Sequence, residues 1–445
     1  MTRRLAATTL LVLVVVASAG ASASATTPVV SAVTLSDVVE PRATFAPTAL
    51  AAWCGAAAQT DRAPNGVAGN PIHWVYAIPS DGADNLAGLA TVMQSDAEQI
   101  DGWWRGQDPS RTPRNDTASF SCGAQLDITT VRVARTSAEL SPLEGRFSTI
   151  VDALDEAGLS SPLTRYVVYF DGPSADANVC GQGGSDSSGF GAAVVYYRSC
   201  VGVSTAAVAA HEVLHTFGAV SRSAPNECTD ERSGHTCDTE ADLMFPAIGG
   251  EPLSSKLLDP GRDDYYGHAG SWTDAQDSAW LVRLDGQAPL ALTMSGPGSV
   301  AANVPGLLCA ASCTTTWNAG QPLVLTATPG AGARLVRWSG ACSGTATCNV
   351  TVAPGASVSA AFAPASFRLS VSVGGKGAVR SSKAGITCRP RCSAAFLSFS
   401  PVRLTATPAR GWRLRSWSGA CRGAKRTCTV PMSAATRARA TFVRQ

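Results

Sequence analysis

The stretch STAAVAAHEVLHTFG, residues 204–218, decides how the longer, N-terminal part of the chain is read. Ser204 has the side chain of a helix N-cap, and the run after it predicts a helix through about Phe217. Gly218 ends it, because a residue free to take positive φ is favoured where a helix stops. Ala206, Ala207, Val208, Ala209, Ala210, Val213, Leu214 and Phe217 make this helix apolar nearly all round, so it should be buried. Inside it stand His211 and His215, four residues apart and therefore on one helical face. Two imidazoles at that spacing can share one Zn²⁺ through ring nitrogens. Glu212, next to the first of them, is placed to take a proton from an attacking water. Buried histidines without such a role would still need polar partners.

Working outward, strand and helix signals alternate. Ile72 to Ile78 reads as a strand, Leu86 to Trp104 as a helix and Leu126 to Val133 as an alternating strand. Leu143 to Ala157 reads as a helix, and Tyr166 to Phe170 and Ala192 to Tyr197 as strands. The Gly/Ser-rich segment from Asp171 to Gly191 reads as a loop. Residues 53–288 are thus expected to form one α+β domain, a mixed sheet with an active-site helix.

Downstream lies Asp242-Leu243-Met244-Phe245-Pro246. Together, HEVLHTFG and DLMFP resemble the metzincin clan of zinc metallopeptidases, with its H-E-x-x-H-x-x-G helix and its Met-turn. The resemblance spans about 204–246. It implies a zincin fold, His211 and His215 as zinc ligands, Glu212 as general base and Met244 as the apolar floor beneath the metal. The chain departs from that pattern at Ser221, which stands where the clan supplies its third ligand, and serine is a poor ligand for zinc. The segment 221–238 reads instead as an insertion closed by a Cys228–Cys237 disulfide, which would bring His235 back over the metal. His235 is the expected third ligand, with Asp238 as the carboxylate alternative and Asp263 more remote.

Other candidates weigh less. His73, in a strand beside Trp74, reads as a core histidine. His268 and the tyrosines before it read as surface packing, with one tyrosine a conceivable oxyanion donor. Trp103 and Trp104 read as a helix end against the core. Asp171, Asp176 and Asp186, in the Gly/Ser loop, are candidates for Ca²⁺, without a calcium-loop spacing. There is no phosphate-binding glycine loop and no G-x-S-x-G elbow, so nucleotide and serine-hydrolase chemistry lack support.

The C-terminal part is repetitive. Cys309-x3-Cys313, LTATP at 325–329, WSGAC at 338–342 and Cys348 return as Cys388-x3-Cys392, LTATP at 404–408, WSGAC at 417–421 and Cys428. These units resemble the divergent B-repeat family of secreted bacterial surface proteins, which implies two small all-β, non-catalytic modules, 289–366 and 367–445. Each is expected to hold two local disulfides. Trp338 and Trp417 recur at one repeat position, as core residues would.

Charge separates the two parts. Residues 1–290 hold 17 Lys/Arg and all 33 Asp/Glu, whereas 291–445 hold 18 Lys/Arg and no acid, within a net charge of +2. Sixteen of those cations lie from Arg368 onward, so the second repeat is a candidate surface for an anionic cell-surface polymer. Nucleic acid is the less expected partner. Fourteen cysteines in close pairs point to an oxidising compartment. Arg3 and Arg4, the apolar run to Val16 and Ala23-Ser24-Ala25 read as a signal peptide over 1–25, followed by a lead or short pro-segment over 26–52. The sequence therefore predicts an exported monomer without a membrane span. Its expected activity is that of a zinc-dependent endopeptidase in which Glu212 activates water. The alternative is a surface or polyanion-binding adhesin with a structural or degenerate zinc site.

Overall fold

A computed structural model describes residues 29–35, 53–58, 62, 68–389 and 391–445. The expected signal peptide, and the lead segment apart from 29–35, lie outside the described residues. The chain is mostly β with few helices, and its C-terminal part consists of disulfide-bonded β repeats.

The N-terminal part contains β1 (Val29–Leu35), β2 (Ile72–Pro79), α1 (Leu86–Gln107), β3 (Arg111–Pro113), β4 (Thr117–Phe120), β5 (Gly123–Leu126) and β6 (Ile128–Val133). There follow α2 (Ser137–Leu140), α3 (Arg146–Glu156), β7 (Arg165–Phe170), β8 (Val179–Ser185), β9 (Gly191–Tyr196), α4 (Thr205–Thr216), β10 (Ala247–Ile248) and β11 (Leu281–Arg283). One seven-stranded sheet runs β10-β1-β8-β9-β7-β2-β6. Strands β6, β2, β7 and β9 are parallel, β8 runs against β9, and β1 runs against β8 but parallel to β10.

Alternation along the strands builds a core on each face of the sheet. Trp74, Tyr76, Val167, Tyr169, Ala193 and Val195 face α1 and α4. Val75, Ala77, Val168, Phe170, Val194 and Tyr196 face α3. On α1, Leu89, Ala90, Met93, Ala97, Ile100 and Trp104 form the buried stripe that helical spacing requires. Trp103 and Trp104 close its end, their indole N–H groups donating to the Lys256 carbonyl and the Tyr266 hydroxyl.

Two sequence expectations change. The segment 171–191 is not all loop, since Val179–Ser185 is β8. Its glycines are there because α4 lies directly on it. A Cβ at Gly181 would stand 2.8 Å from Glu212 Oε1, and one at Gly183 only 2.5 Å from the Glu212 carbonyl oxygen. The strand expected over 126–133 is broken at Asp127, whose backbone N–H donates to the Asp116 carbonyl.

The first repeat comprises β12 (Gln287–Ser295), β13 (Gly298–Ala302), β14 (Leu308–Cys309), β15 (Cys313–Asn318), β16 (Pro322–Pro329), β17 (Ala333–Gly340), β18 (Cys348–Thr351) and β19 (Ser357–Pro364). The second comprises β20 (Ser366–Gly374), β21 (Gly377–Ser381), β22 (Thr387–Cys388), β23 (Arg391–Leu397), β24 (Pro401–Pro408), β25 (Trp412–Gly419), β26 (Thr427–Pro431) and β27 (Thr436–Arg444). Each forms two four-stranded sheets, β15-β12-β19-β17 with β14-β13-β16-β18, and β23-β20-β27-β25 with β22-β21-β24-β26. Trp338 and Trp417 are buried in the two cores, and their indoles donate to the Ala346 and Lys425 carbonyls.

The cysteine pattern departs from expectation once. Cys309–Cys313, Cys342–Cys348 and Cys421–Cys428 are bonded, but Cys388 and Cys392 are thiols. Cys388 is buried, which raises its thiol to about 12, and it donates to the Val371 carbonyl. In the N-terminal part, Cys228–Cys237 pairs as expected, and Cys54–Cys122 and Cys180–Cys200 are bonded as well. No helix among the described residues is long and apolar enough to cross a membrane.

Candidate metal centre

Helix α4 starts as its sequence dictates. The Ser204 hydroxyl accepts from the Ala207 N–H. It ends in a Schellman arrangement around Gly218, at φ +88°, with Gly218 N–H donating to the His215 carbonyl and Ala219 N–H to that of Leu214. That turn also delivers the Ala219 carbonyl to His215 Nδ1, 3.3 Å away.

His211, His215 and His235 are all buried and come together. The rings stand 4.8 to 5.1 Å apart between centroids. Each Nδ1 is bound to a backbone carbonyl: His211 to Leu243 at 2.6 Å, His215 to Ala219, and His235 to Arg232 at 2.8 Å. A carbonyl only accepts, so each Nδ1 carries the hydrogen and each neutral ring leaves Nε2 as a bare lone pair.

Those lone pairs face inward. His211 Nε2 and His215 Nε2 are 3.1 Å apart, and buried His235 Nε2 has no hydrogen-bond partner. Protonating a ring would relieve the contact, but burial opposes it. Burial and then neighbouring imidazoles hold His211 and His215 well below the ordinary histidine range, and burial lowers His235 as well. Two nitrogens bound at 2.0–2.1 Å to one tetrahedral ion stand about 3.3 Å apart. A divalent zinc therefore fits this donor set. Among the described residues no fourth His, Cys, Asp or Glu joins the three imidazoles as a ligand, so they form an open set.

The surroundings hold the three imidazoles in place. The Leu243 carbonyl that orients His211 belongs to the 242–246 turn, where Asp242 Oδ1 accepts from the Met244 N–H and the Tyr265 hydroxyl. The Met244 carbonyl accepts from the Thr236 N–H, so this same turn also anchors the segment that carries His235. Met244 itself is fully buried. The Cys228–Cys237 bond spans nine positions, and Cys228 N–H donates to the His235 carbonyl.

Glu212 is fully buried, with its carboxylate against Gly181 and Gly183 of β8. Sequence reasoning missed this strand. Its one signal was the glycine alternation at 181 and 183, the period of a strand face. It also missed β1, whose backbone covers the outer edge of β8 from Val29↔Ser185 to Thr34↔Val179 and then joins β10. Strand β1 also approaches α4.

The remaining candidates fall elsewhere. Asp238 is exposed and groups with Asp242 and Asp264, not with the histidines. Asp263 groups with Asp259 and Asp264, not with the histidines. Buried His73 bonds Asp116 and Thr129 at 3.0 and 2.8 Å, as a core histidine does. His268 stacks on Trp272. Tyr265 and Tyr266 are core residues rather than surface ones, bonded to Asp242 and Asp108. Among the described residues the three carboxylates considered for Ca²⁺ form no common group, and each has partners of its own. Asp171 accepts from Arg198 and Tyr76, Asp176 from the Asn178 N–H, and Asp186 from Ser188 and Phe190.

Comparison with known proteins bears mainly on the C-terminal modules. Residues 285–366 and 378–445 match the divergent InlB B-repeat domain. That match does not extend to the histidine site. Among curated proteins none matches the chain. Of solved structures, the Bacillus anthracis TIE protein is 8% identical over 37% of this chain and 36% of its own, with a TM-score of 0.23. The chain thus spans about a third of that protein's length. Catalytically inactive OgpA from Akkermansia muciniphila, in complex with an O-glycopeptide, is 8% identical over 87% of this chain and 98% of its own, with a TM-score of 0.26. The major pilin of Streptococcus pyogenes is 7% identical over 35% and 97%, at 0.16. At such scores none of these likenesses bears on fold or activity. Disulfide-bonded modules matching a B-repeat domain suggest an extracellular location.

Proposed function

We propose that the chain is an exported, zinc-dependent endopeptidase of metzincin type, with His211, His215 and His235 as ligands and Glu212 as the general base. The observation that carries this reading is the inward-facing set of three neutral imidazoles, each locked by a backbone carbonyl, with a buried glutamate next in the chain to the first of them. When bound, zinc supplies Lewis acidity toward a carbonyl oxygen and toward water. Glu212 takes the proton of the attacking water and passes it to the leaving amine. The Leu243, Ala219 and Arg232 carbonyls hold the rings in one tautomer, and the glycine strand leaves Glu212 room against the sheet.

The outer edge of β8 is the place for an extended peptide, since it offers backbone donors and acceptors beside α4. In this structure β1, from the lead segment, occupies that edge. The lead is therefore a pro-segment that covers the site until it is removed. A structural zinc site would be closed by four protein ligands, so the set of three found among the described residues favours the enzyme over the adhesin.

The test is hydrolysis of casein by the purified protein and by Glu212→Ala. Cleavage by the wild type alone supports the proposal. Equal cleavage by both, or none by either once the lead is removed, contradicts it.

A further inference from the structure

The outer face of the sheet β23-β20-β27-β25 is an arginine and serine grid. Pairing places Arg391, Ser372, Arg439 and Ser418 side by side across all four strands. Ser370 and Arg437 form the next row on the same face. The residues between them, Val371, Ala438 and Ala440, point into the core. These side chains border a groove of about 1130 Å³. Arg368 stands one row further along and donates to Ser393 at 2.7 Å.

No acid lies in this module to neutralise these arginines, because no Asp or Glu follows Asp285. Arg437 and Arg439 repeat along one strand at about 6.8 Å, and neighbouring strands lie about 4.8 Å apart. The cations are thus laid out as a regular array, in a groove that also presents serine hydroxyls.

The first repeat serves as an internal control. In the same register it carries Ser357 and Ser359 where the second has Arg437 and Arg439, since Ala291↔Ser357 corresponds to Ser370↔Arg437. Ser312 stands where the second has Arg391, by the alignment of Cys313 with Cys392. The sheet therefore folds with serine at all three positions, and the arginines are not required by its packing.

We infer that this groove binds a linear, non-nucleic polyphosphodiester, of the kind built from polyol or sugar units joined by phosphates. Phosphodiester oxygens accept from guanidinium forks and hydroxyls together. The face carries no aromatic ring on which bases would stack, which disfavours single-stranded nucleic acid. The inference stands apart from the peptidase proposal, because it concerns a module that lacks the histidine site.

The test uses the full chain and a labelled glycerol phosphate oligomer, followed by fluorescence anisotropy. Two triple variants are compared, Arg391→Ser/Arg437→Ser/Arg439→Ser on the grid and Arg380→Ser/Lys383→Ser/Arg403→Ser elsewhere on the same module. Both remove three exposed charges, and thermal unfolding verifies that both remain folded. The grid variant should lose at least tenfold in affinity, while the other stays within twofold or threefold of wild type. Three phosphate contacts at about 0.7 each give a salt slope near 2, or roughly 15-fold between 50 and 200 mM salt, which the grid variant should lack. Equal losses in both variants would reduce the effect to net charge and overturn the inference. Tighter binding of a single-stranded oligonucleotide, or of polyglutamate, would overturn the assignment of ligand.

Discussion

Gly183→Ala probes the contact on which α4, the helix carrying the proposed base, rests. A Cβ at this position would stand 2.5 Å from the Glu212 carbonyl oxygen, 2.8 Å from Glu212 Oε2 and 3.0 Å from Glu212 Cα. Ordinary contact begins near 3.4 Å, so α4 and β8 must part by most of an ångström at the residue proposed as the base. The first and third obstacles are backbone, which has no other rotamer to adopt. Forcing a methyl into such packing costs about 1–3 kcal/mol. Near the melting temperature that corresponds to a drop of roughly 2–12 °C for a domain of this size. Gly102→Ala is the matched control. Gly102 lies within α1, is exposed, and a Cβ there meets nothing within 4 Å. That change should stabilise by about 0.5–1 kcal/mol through helix propensity. The assay is thermal unfolding of both variants, with casein hydrolysis measured below the transition. Gly183→Ala should melt lower and lose activity, because Glu212 is displaced, whereas Gly102→Ala should keep full activity. A Gly183→Ala protein with wild-type melting and turnover would refute the packing of α4 on a glycine strand.

Three further outcomes can be checked. Burial raises the Asp96 carboxyl to about 6, where it accepts from Tyr169 and Thr205. The unfolded chain releases that proton nearer pH ~4, so Asp96 makes stability fall as pH rises from about 4 to 6, and Asp96→Asn should make the fall shallower, leaving the share of buried Asp242, which is raised to about 7. Urea midpoints across that range would show it, and parallel profiles for the two proteins would contradict it. Replacing Cys228 and Cys237 by serine opens a short loop worth about 3 kcal/mol in chain entropy and frees the segment carrying His235. Zinc affinity measured by competition with a chelator should weaken, and an unchanged affinity would show that the Met244–Thr236 bond suffices. Removing residues 26–52 uncovers the edge of β8 and should raise the rate of casein hydrolysis. An unaltered rate in a folded protein would mean that β1 does not obstruct the substrate.

Much of the site was legible because it is local. A helix period places His211 and His215 on one face, and Ser204 and Gly218 are the residues that start and stop that helix. Expecting His235 near the other two histidines required a disulfide across nine positions, itself a short-range feature. What escaped was long-range. Glycine over 179–185 has the composition of a loop, and only α4 packed on it explains why a strand there must lack side chains. Strand β1 pairs with residues some 150 positions away, and no local pattern reveals such a partner. The expected bond between Cys388 and Cys392 followed from the repeat, yet the two modules differ there. Charge alone marked the second repeat as cationic, whereas the pairing of its strands arranges those charges into rows.

The central claim is that three imidazoles hold one zinc beside a basic glutamate. Its most direct test is elemental analysis of zinc in the wild type, Glu212→Ala and His235→Ala, each purified without chelator. One zinc per chain in the first two and loss in the third is the result this account expects. Zinc absent from the wild type, or fully retained in His235→Ala, would contradict it.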